Sequence, residues 1–241
     1  MEYYYAPPSD INENENTVIL KDFEFRHLVK VLRKKAGDNI SVTDGNKNIY
    51  RCTVKEIEKN RLVCSIDKKE YGLFEPDINL TLCIAPLRNT SRFEFAVEKA
   101  VELGVNRIIP VITEFTVSKF ELSRSRHERL EKIIISAMGQ SQRCFKPELG
   151  KSAGLKDLSA LFSGEKNKVV MYEFSEDMKP YEYNAGSENV VLLIGPEGGF
   201  SAKEIEFLRN DNWQIKSLGN RKLRAETAAV VAVNQIISKL K

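Results

Sequence analysis

Gly195, Pro196, Glu197, Gly198 and Gly199 stand in direct succession, three glycines, a proline and a single carboxylate in five residues. Neither a strand nor a helix continues through such a run. The apolar residues 190–194 before it read as a short strand buried on both faces. After it, Ser201 and Glu204 form an S-x-x-E capping box that starts a helix. A buried strand, a glycine turn and a fresh helix N-terminus let backbone come close to a ligand. A tight turn alone needs fewer glycines, so these residues favour a binding site.

A second glycine turn, Leu218-Gly219-Asn220-Arg221-Lys222-Leu223-Arg224-Ala225-Glu226-Thr227, runs into an apolar helix, and Leu87-Arg88-Asn89-Thr90-Ser91 is a third candidate loop. Loops that leave the carboxyl ends of adjacent parallel strands usually build the site of an open α/β sheet. Neither G-x-G-x-x-G nor G-x-x-x-x-G-K-[ST] occurs, which argues against a dinucleotide site and against a P-loop. With only His27 and His127, no Ser/His/Asp set is arguable. Cys52, Cys64, Cys83 and Cys144 are scattered without a C-x-x-C pair, so no metal centre is expected. Glu197 and Glu226 are an arguable carboxylate pair, although spacing alone does not bring them together.

Two halves of different pattern must position these loops. Residues 1–72 read as a small, mostly β unit, in which Tyr50, Cys52 and Val54, then Leu62, Cys64 and Ile66, alternate as half-buried strands do. One helix interrupts it: Phe25, Leu28, Val29 and Leu32 fall on one face, Arg26, Lys30, Arg33 and Lys34 on the other, and Gly37 is placed to end it. Residues 68–79 are charged, hold Gly72 and Pro76, and read as the linker. Residues 73–241 then alternate continuous apolar strands with helices, the mark of an α/β domain with a mostly parallel sheet. There the spacing predicts a helix capped at Ser91–Glu94 and closed by Gly104. A second, capped at Ser125–Glu128, has Arg129, Lys132, Ser136, Gln140 and Arg143 on its polar side. The last helix, residues 226–240, is apolar nearly all round, which requires burial within the fold or against a second subunit.

Of the 241 residues, 42% are hydrophobic and 29% charged, as in a soluble globular protein, and no apolar run is long enough to span a membrane. The N-terminal residues lack the features of a signal peptide, so a cytoplasmic protein with reduced thiols is expected. The net charge of +3 is uninformative, but its distribution is not. Residues 26–35 hold five cations and no acid, and residues 119–146 hold seven cations against three glutamates. Local basic clusters suit a polyanion such as RNA, and solvated helix faces are the plain alternative.

Three stretches carry a family resemblance: the G-P-E-G-G-F-S of residues 195–201, the L-G-N-R-K-L-R-A-E-T-A of residues 218–228 and the V-E-K-A-V-E-L-G-V of residues 97–105. With Gln140-Ser141-Gln142-Arg143, Pro147 and the His27-Leu28 and Val31-Leu32-Arg33 pieces, the chain resembles the bacterial 16S ribosomal RNA uridine-N3 methyltransferases over nearly its whole length. The resemblance implies a PUA-like N-terminal barrel (residues 1–72) and a knotted, dimerising SPOUT methyltransferase domain (residues 73–241). It further implies S-adenosylmethionine as cofactor and the 16S rRNA of the small ribosomal subunit as partner. Carried over, the cofactor would be held by Met171, Tyr172, Leu193, Gly195, Pro196, Glu197, Gly199, Leu218, Gly219, Leu223, Arg224, Ala225 and Thr227. RNA would meet Arg26, His27, Lys30, Arg33, Arg88, Arg92, Arg129 and Arg143. Arg88 stands where the family commonly has lysine, Phe115 where it tends to have arginine, and Lys222 where it has an aliphatic residue.

Methyl transfer to uracil N3 needs the N3 proton to leave and charge to spread onto O2 and O4. Arg143 and Arg224 are the expected donors to that charge, and Glu226 the expected base, against the plainer reading of a carboxylate favoured at a helix N-terminus. A non-catalytic RNA-binding module would leave both glycine turns without a purpose. A methyltransferase acting on another base or on a ribose 2′-hydroxyl would share the cofactor site.

Overall fold

The computed structural model describes residues 2–116, 122–179, 181–183 and 188–239. Lys119 and Glu121 of the second basic cluster, and Leu240 at the end of the expected last helix, lie outside them. The chain divides into two compact units, Met1–Glu75 with Ile135–Lys146, and Pro76–Ile134 with Pro147–Lys241.

The first unit is built on a six-stranded sheet in the order β1-β4-β5-β6-β3-β2. Its strands are β1 (Tyr3–Tyr5), β2 (Ile11–Asn12), β3 (Thr17–Lys21), β4 (Asn39–Thr43), β5 (Asn48–Ile57) and β6 (Arg61–Tyr71). Every pairing is antiparallel except β1 with β4. The alternating residues do what their period predicts: Tyr50, Cys52, Val54, Leu62 and Cys64 enter one core with Val18, Leu20, Phe25 and Leu28. The expected linker begins later than its charge suggests. Residues 68–71 remain in β6, because Tyr71 and Glu70 still pair with Asn48 and Ile49 of β5.

The basic helix departs from its expected course. Helix α1 (Asp22–Arg26) passes at once into a π-helical turn, His27–Val31, in which the Leu32 N–H reaches back five residues to the His27 carbonyl at 3.0 Å. The wider turn rotates the face, so Leu32 is 43% exposed and not part of the apolar side. Arg33 then takes a left-handed φ of 55°, and the helical path stops there, four residues before Gly37. Arg26, Lys30 and Arg33 are nevertheless exposed, as the pattern requires.

The segment Ile135–Lys146 belongs to this unit although it falls late in the chain. A Cβ on Gly139 would collide with the Tyr3 carbonyl oxygen, so only glycine permits that approach. Thr43 Oγ1 donates to the Cys144 carbonyl at 3.1 Å, and the Lys146 N–H donates to the Gly45 carbonyl at 2.9 Å.

The second unit holds a parallel sheet in the order β10-β8-β7-β12-β11-β13, with the short β9 beside β8. In chain order its elements are β7 (Asn79–Ile84), α2 (Thr90–Leu103), β8 (Arg107–Ile112), α3 (Arg124–Gln140, which runs on into the first unit's segment), β9 (Glu148–Leu149), β10 (Ala153–Gly154) and α4 (Leu155–Leu161). β11 (Lys168–Met171), β12 (Asn189–Ile194), α5 (Ala202–Asn210), β13 (Gln214–Lys216) and α6 (Ala225–Lys239) complete it. β9, β10 and α4 have no counterpart in the sequence reading, being too short to show a period.

Val191 and Leu193 of β12 share a core with Val170, Phe200, Leu158 of α4 and Ile205 and Leu208 of α5. α6 packs against α2 and β12 and buries Ala229, Ala232, Val233 and Ile236. Helix ends follow local chemistry with two shifts. The α5 box forms as read, with Ser201 Oγ accepting from the Glu204 N–H at 3.3 Å and Glu204 Oε2 from the Ser201 N–H at 2.9 Å. α2 is capped two residues earlier than expected, by Asn89, whose Oδ1 accepts from the Ser91 N–H at 2.9 Å; Gly104 closes it at φ 112°. α3 starts at Arg124, after Ser123 and not within 125–128.

Candidate functional site

Because β11 lies between β12 and β13 and all three run parallel, their carboxyl ends open side by side. The two glycine turns leave from the outer pair and flank the exit of the central strand. Between them lies a cavity of about 420 Å³, large enough for a nucleoside-sized ligand. Met171, Tyr172 and Glu173 line it from β11, residues 194–200 except Gly198 from β12, and residues 217–226 except Asn220 from β13 and the start of α6.

Local bonds fix these walls. The Tyr172 N–H donates to the Lys216 carbonyl at 2.8 Å, which ties the β11 exit to the β13 exit. The Gly199 N–H donates to the Pro196 carbonyl at 2.9 Å, closing the first turn, and Gly199 continues at φ 71°. In the second turn Gly219 takes φ 112° with nothing within 4 Å of a built Cβ, so the backbone conformation demands glycine there and the space beside it stays open.

Thus the structure gathers Met171, Tyr172, Gly195, Pro196, Glu197, Gly199, Leu218, Gly219, Leu223, Arg224 and Ala225 around one cavity, with the base candidate Glu226. Two of the expected cofactor residues stand elsewhere. Leu193 is fully buried in the core, since side chains alternate along a strand and it is its neighbour Ile194 that faces the cavity. Thr227 is exposed on the first turn of α6 and is not part of the lining. Sequence reasoning missed Glu173, Phe200, Ser217, Arg221, Lys222 and Ala228 as lining residues; all but Glu173, which follows Tyr172 at the end of β11, lie within or beside a turn already singled out.

Charge is sorted within this cavity. Arg221, Lys222 and Arg224 are exposed, and Lys222 forms a 3.1 Å ion pair with Glu173 across its edge. Glu226 is buried, its Oε1 lying 3.6 Å from Arg92 Nε and its Oε2 without a hydrogen-bond partner among the described residues. Glu197 accepts the Arg88 N–H at 2.9 Å through Oε1, and its Oε2 is likewise buried with no partner among the described residues. Buried carboxylate oxygens left so are costly without a ligand, and they suit one that brings positive charge. A sulfonium nucleoside with an ammonium group fits this lining of apolar walls, close backbone and interior carboxylates. Among the described residues no group of three or more His, Cys, Asp or Glu side chains is placed to hold a metal ion.

Arg143 is not among the lining residues. Beyond α3, Gln142 takes a left-handed φ of 60° and the Arg143 N–H bonds back to the Met138 carbonyl at 2.9 Å, a reversal that takes Arg143 off the polar stripe of the helix. Its guanidinium, 3% exposed, forms an ion pair with the equally buried Glu75 at 2.8 Å. The other Glu75 oxygen accepts from the Cys144 and Phe145 N–H groups at 2.8 and 2.9 Å.

The expected RNA-contact residues fall in separate places. Arg26, Lys30 and Arg33 are exposed on the first unit, and His27 is half-buried with its ring beside Tyr4 and Phe23. Arg88 is exposed on the loop after β7, and Arg92 reaches the cavity from α2. Arg129 is exposed and held bidentate by Glu94, with Nη2 to Oε2 at 2.8 Å.

Comparison with known proteins finds relatives over most of the chain. A family model described as an RNA methyltransferase domain matches residues 75–237, and one described as an RNA methyltransferase PUA domain matches residues 20–67. The Ribosomal RNA small subunit methyltransferase E of Aquifex aeolicus is 31% identical, covering 92% of this chain and 95% of the relative. Its counterpart from Rickettsia conorii is 29% identical, covering 95% and 92%. The crystal structure of the enzyme of that name from Neisseria gonorrhoeae, bound to S-adenosyl methionine, superposes with a TM-score of 0.88 at 29% identity, covering 99% of this chain and 98% of that one.

Proposed function

Because the chain belongs to the RNA methyltransferase family, in company with the small-subunit ribosomal RNA methyltransferases E, we propose that it methylates N3 of a specific uridine in 16S rRNA. The methyl donor is S-adenosylmethionine, and the fold is a SPOUT methyltransferase domain with a PUA-like unit. One observation of this chain carries the reading: two glycine turns at adjacent parallel strand ends enclose a cavity whose interior charge is carboxylate and whose edge is cationic. When bound, the cofactor supplies a methyl group activated on sulfonium sulfur.

The chain's own residues supply the rest. Met171, Tyr172, Leu218, Leu223 and the two turns would position the donor and keep water from it, and alignment supplies much of the acceleration in such a displacement. Arg224, exposed at the edge, is suited to stabilise charge on the uracil oxygens. Glu226 is suited to accept the N3 proton through its unpartnered oxygen. Arg143 is left out of this set, since its guanidinium is committed to Glu75. Arg26, Lys30 and Arg33 would hold rRNA phosphates, giving affinity and register without reading bases. Arg88, Arg92 and Arg129 would contact the rRNA nearer the target nucleotide, which must leave its stack to reach the methyl group.

The same reading includes a knotted chain path, a homodimer through the second unit and a cytoplasmic place of action. Among the described residues no helix is long and apolar enough to cross a membrane. The test is to map modified nucleosides in 16S rRNA from a strain lacking the gene, then to restore the mark with the purified protein, donor and small subunits. Loss and restoration of one N3-methyluridine is expected. An intact mark, or loss of a ribose methyl instead, would overturn the reading.

A further inference from the structure

We infer that Glu197 and Glu226 read the positive charge of the methyl donor, so that this cavity holds the sulfonium form in preference to the uncharged thioether left after transfer. The inference rests on the proposed methyl transfer. In that reaction the carbon–sulfur bond breaks as the N3–carbon bond forms, the bonding pair stays on sulfur, and the N3 proton leaves. The ligand therefore loses one positive charge while its shape hardly changes.

Two carboxylates in the lining are half-satisfied in the same way. Each turns one oxygen toward the segment after β7: Glu197 accepts the Arg88 N–H at 2.9 Å, and Glu226 lies 3.6 Å from Arg92 Nε, beyond hydrogen-bonding range. Each keeps its other oxygen buried with no partner among the described residues. The Glu226 side chain is only 10% exposed, whereas the Arg92 side chain facing it is 41% exposed and the remaining cations of the lining are exposed at the edge. A solvated cation is screened and a buried carboxylate is not, so the interior is negative although cations outnumber acids in the lining. A cationic ligand offsets that desolvation and a neutral ligand of equal shape does not. The edge cations, in turn, suit the polyanionic acceptor. The cavity is sorted for its two substrates, and it favours departure of the spent one.

Calorimetry on the full-length protein tests this with three probes: S-adenosylmethionine, S-adenosylhomocysteine, and an analogue bearing a protonated amine in place of the sulfonium. The unaltered chain should bind the two cationic ligands at least roughly tenfold tighter than the thioether. Glu226→Gln and Glu197→Gln should each shrink that ratio about threefold or more while moving the thioether affinity less than about twofold. Equal affinity for all three ligands in the unaltered chain overturns the inference and leaves the methyltransferase reading standing, and so does an unchanged ratio in folded variants. Failure of all three to bind overturns both. The ratio in the unaltered chain decides the matter if the variants fail to fold.

Discussion

Two buried carboxylates, one in each unit, show opposite solutions to the same problem. Glu75 is 3% exposed and fully engaged, with Arg143 at one oxygen and two backbone N–H groups at the other. Glu226 is nearly as buried, yet one oxygen has no partner among the described residues and the other meets its arginine only at 3.6 Å. A satisfied buried ion is a structural device that is expensive to break, while an unsatisfied one stores a cost that only a ligand relieves. The difference locates function better than residue type does, because both sites consist of a glutamate and an arginine.

The sharpest test removes Arg143. Arg143→Ala leaves Glu75 buried beside two N–H groups with no counter-charge, and should destabilise the first unit by roughly 3–5 kcal/mol, read by denaturant or thermal unfolding. Replacing both partners, Arg143→Met with Glu75→Gln, should recover much of that loss. If Arg143→Ala instead unfolds like the unaltered chain but loses turnover, Arg143 is a catalytic group after all and the contrast fails.

Glu226→Gln should behave in the reverse manner. Removing a half-unpartnered charge costs no stability, so the melting temperature should hold or rise. Turnover at saturating donor should fall about 100-fold if the carboxylate takes the N3 proton. Full turnover with weakened donor binding would leave Glu226 with the donor's charge alone.

Glu24 is an intermediate case that can be read by pH. Burial, and then the charge of Glu2, push its carboxyl up from 4.5 to about 7, against the Tyr5 N–H that bonds it at 3.1 Å. The folded pKa lies above the unfolded one, so between about pH 4.5 and 7 the folded chain holds a proton that the unfolded chain has released, and stability falls as pH rises through that window. Glu24→Gln should therefore stabilise the protein at pH 8 and leave it nearly unchanged at pH 4. At 1.36 kcal/mol per pH unit the ceiling is about 3 kcal/mol, and partial solvent access brings the expected gain to about 1–2 kcal/mol. Equal melting shifts at both pH values would remove Glu24 from this series.

These contrasts were only partly legible in the sequence. The glycine turns, the Ser201–Glu204 box and the strand alternation are local, and local chemistry announces itself in residue type and spacing. Arg143 was misplaced because its position depends on Gln142 adopting a left-handed φ, which leaves no compositional trace as a glycine would. Leu32 was misplaced because a single π-turn shifts every later residue around the helix. The allegiance of Ile135–Lys146 to the first unit depends on contacts more than a hundred positions away in sequence, such as Thr43 with Cys144, and no period encodes those.

The smallest expected effect concerns Lys222, at the exposed edge of the cavity. Its pair with Glu173 joins the β11 and β13 sides of the cavity at 3.1 Å, but Lys222 is 70% exposed there, so water and salt screen the attraction. Lys222→Leu should change donor affinity by less than about threefold, the range of exposed ion pairs. Sensitivity of donor binding to added salt should fall slightly in the same variant. A tenfold loss of donor affinity on Lys222→Leu would mean that the edge cations hold the donor as well as the acceptor. The distinction between an unscreened interior and a screened edge would then have to be given up.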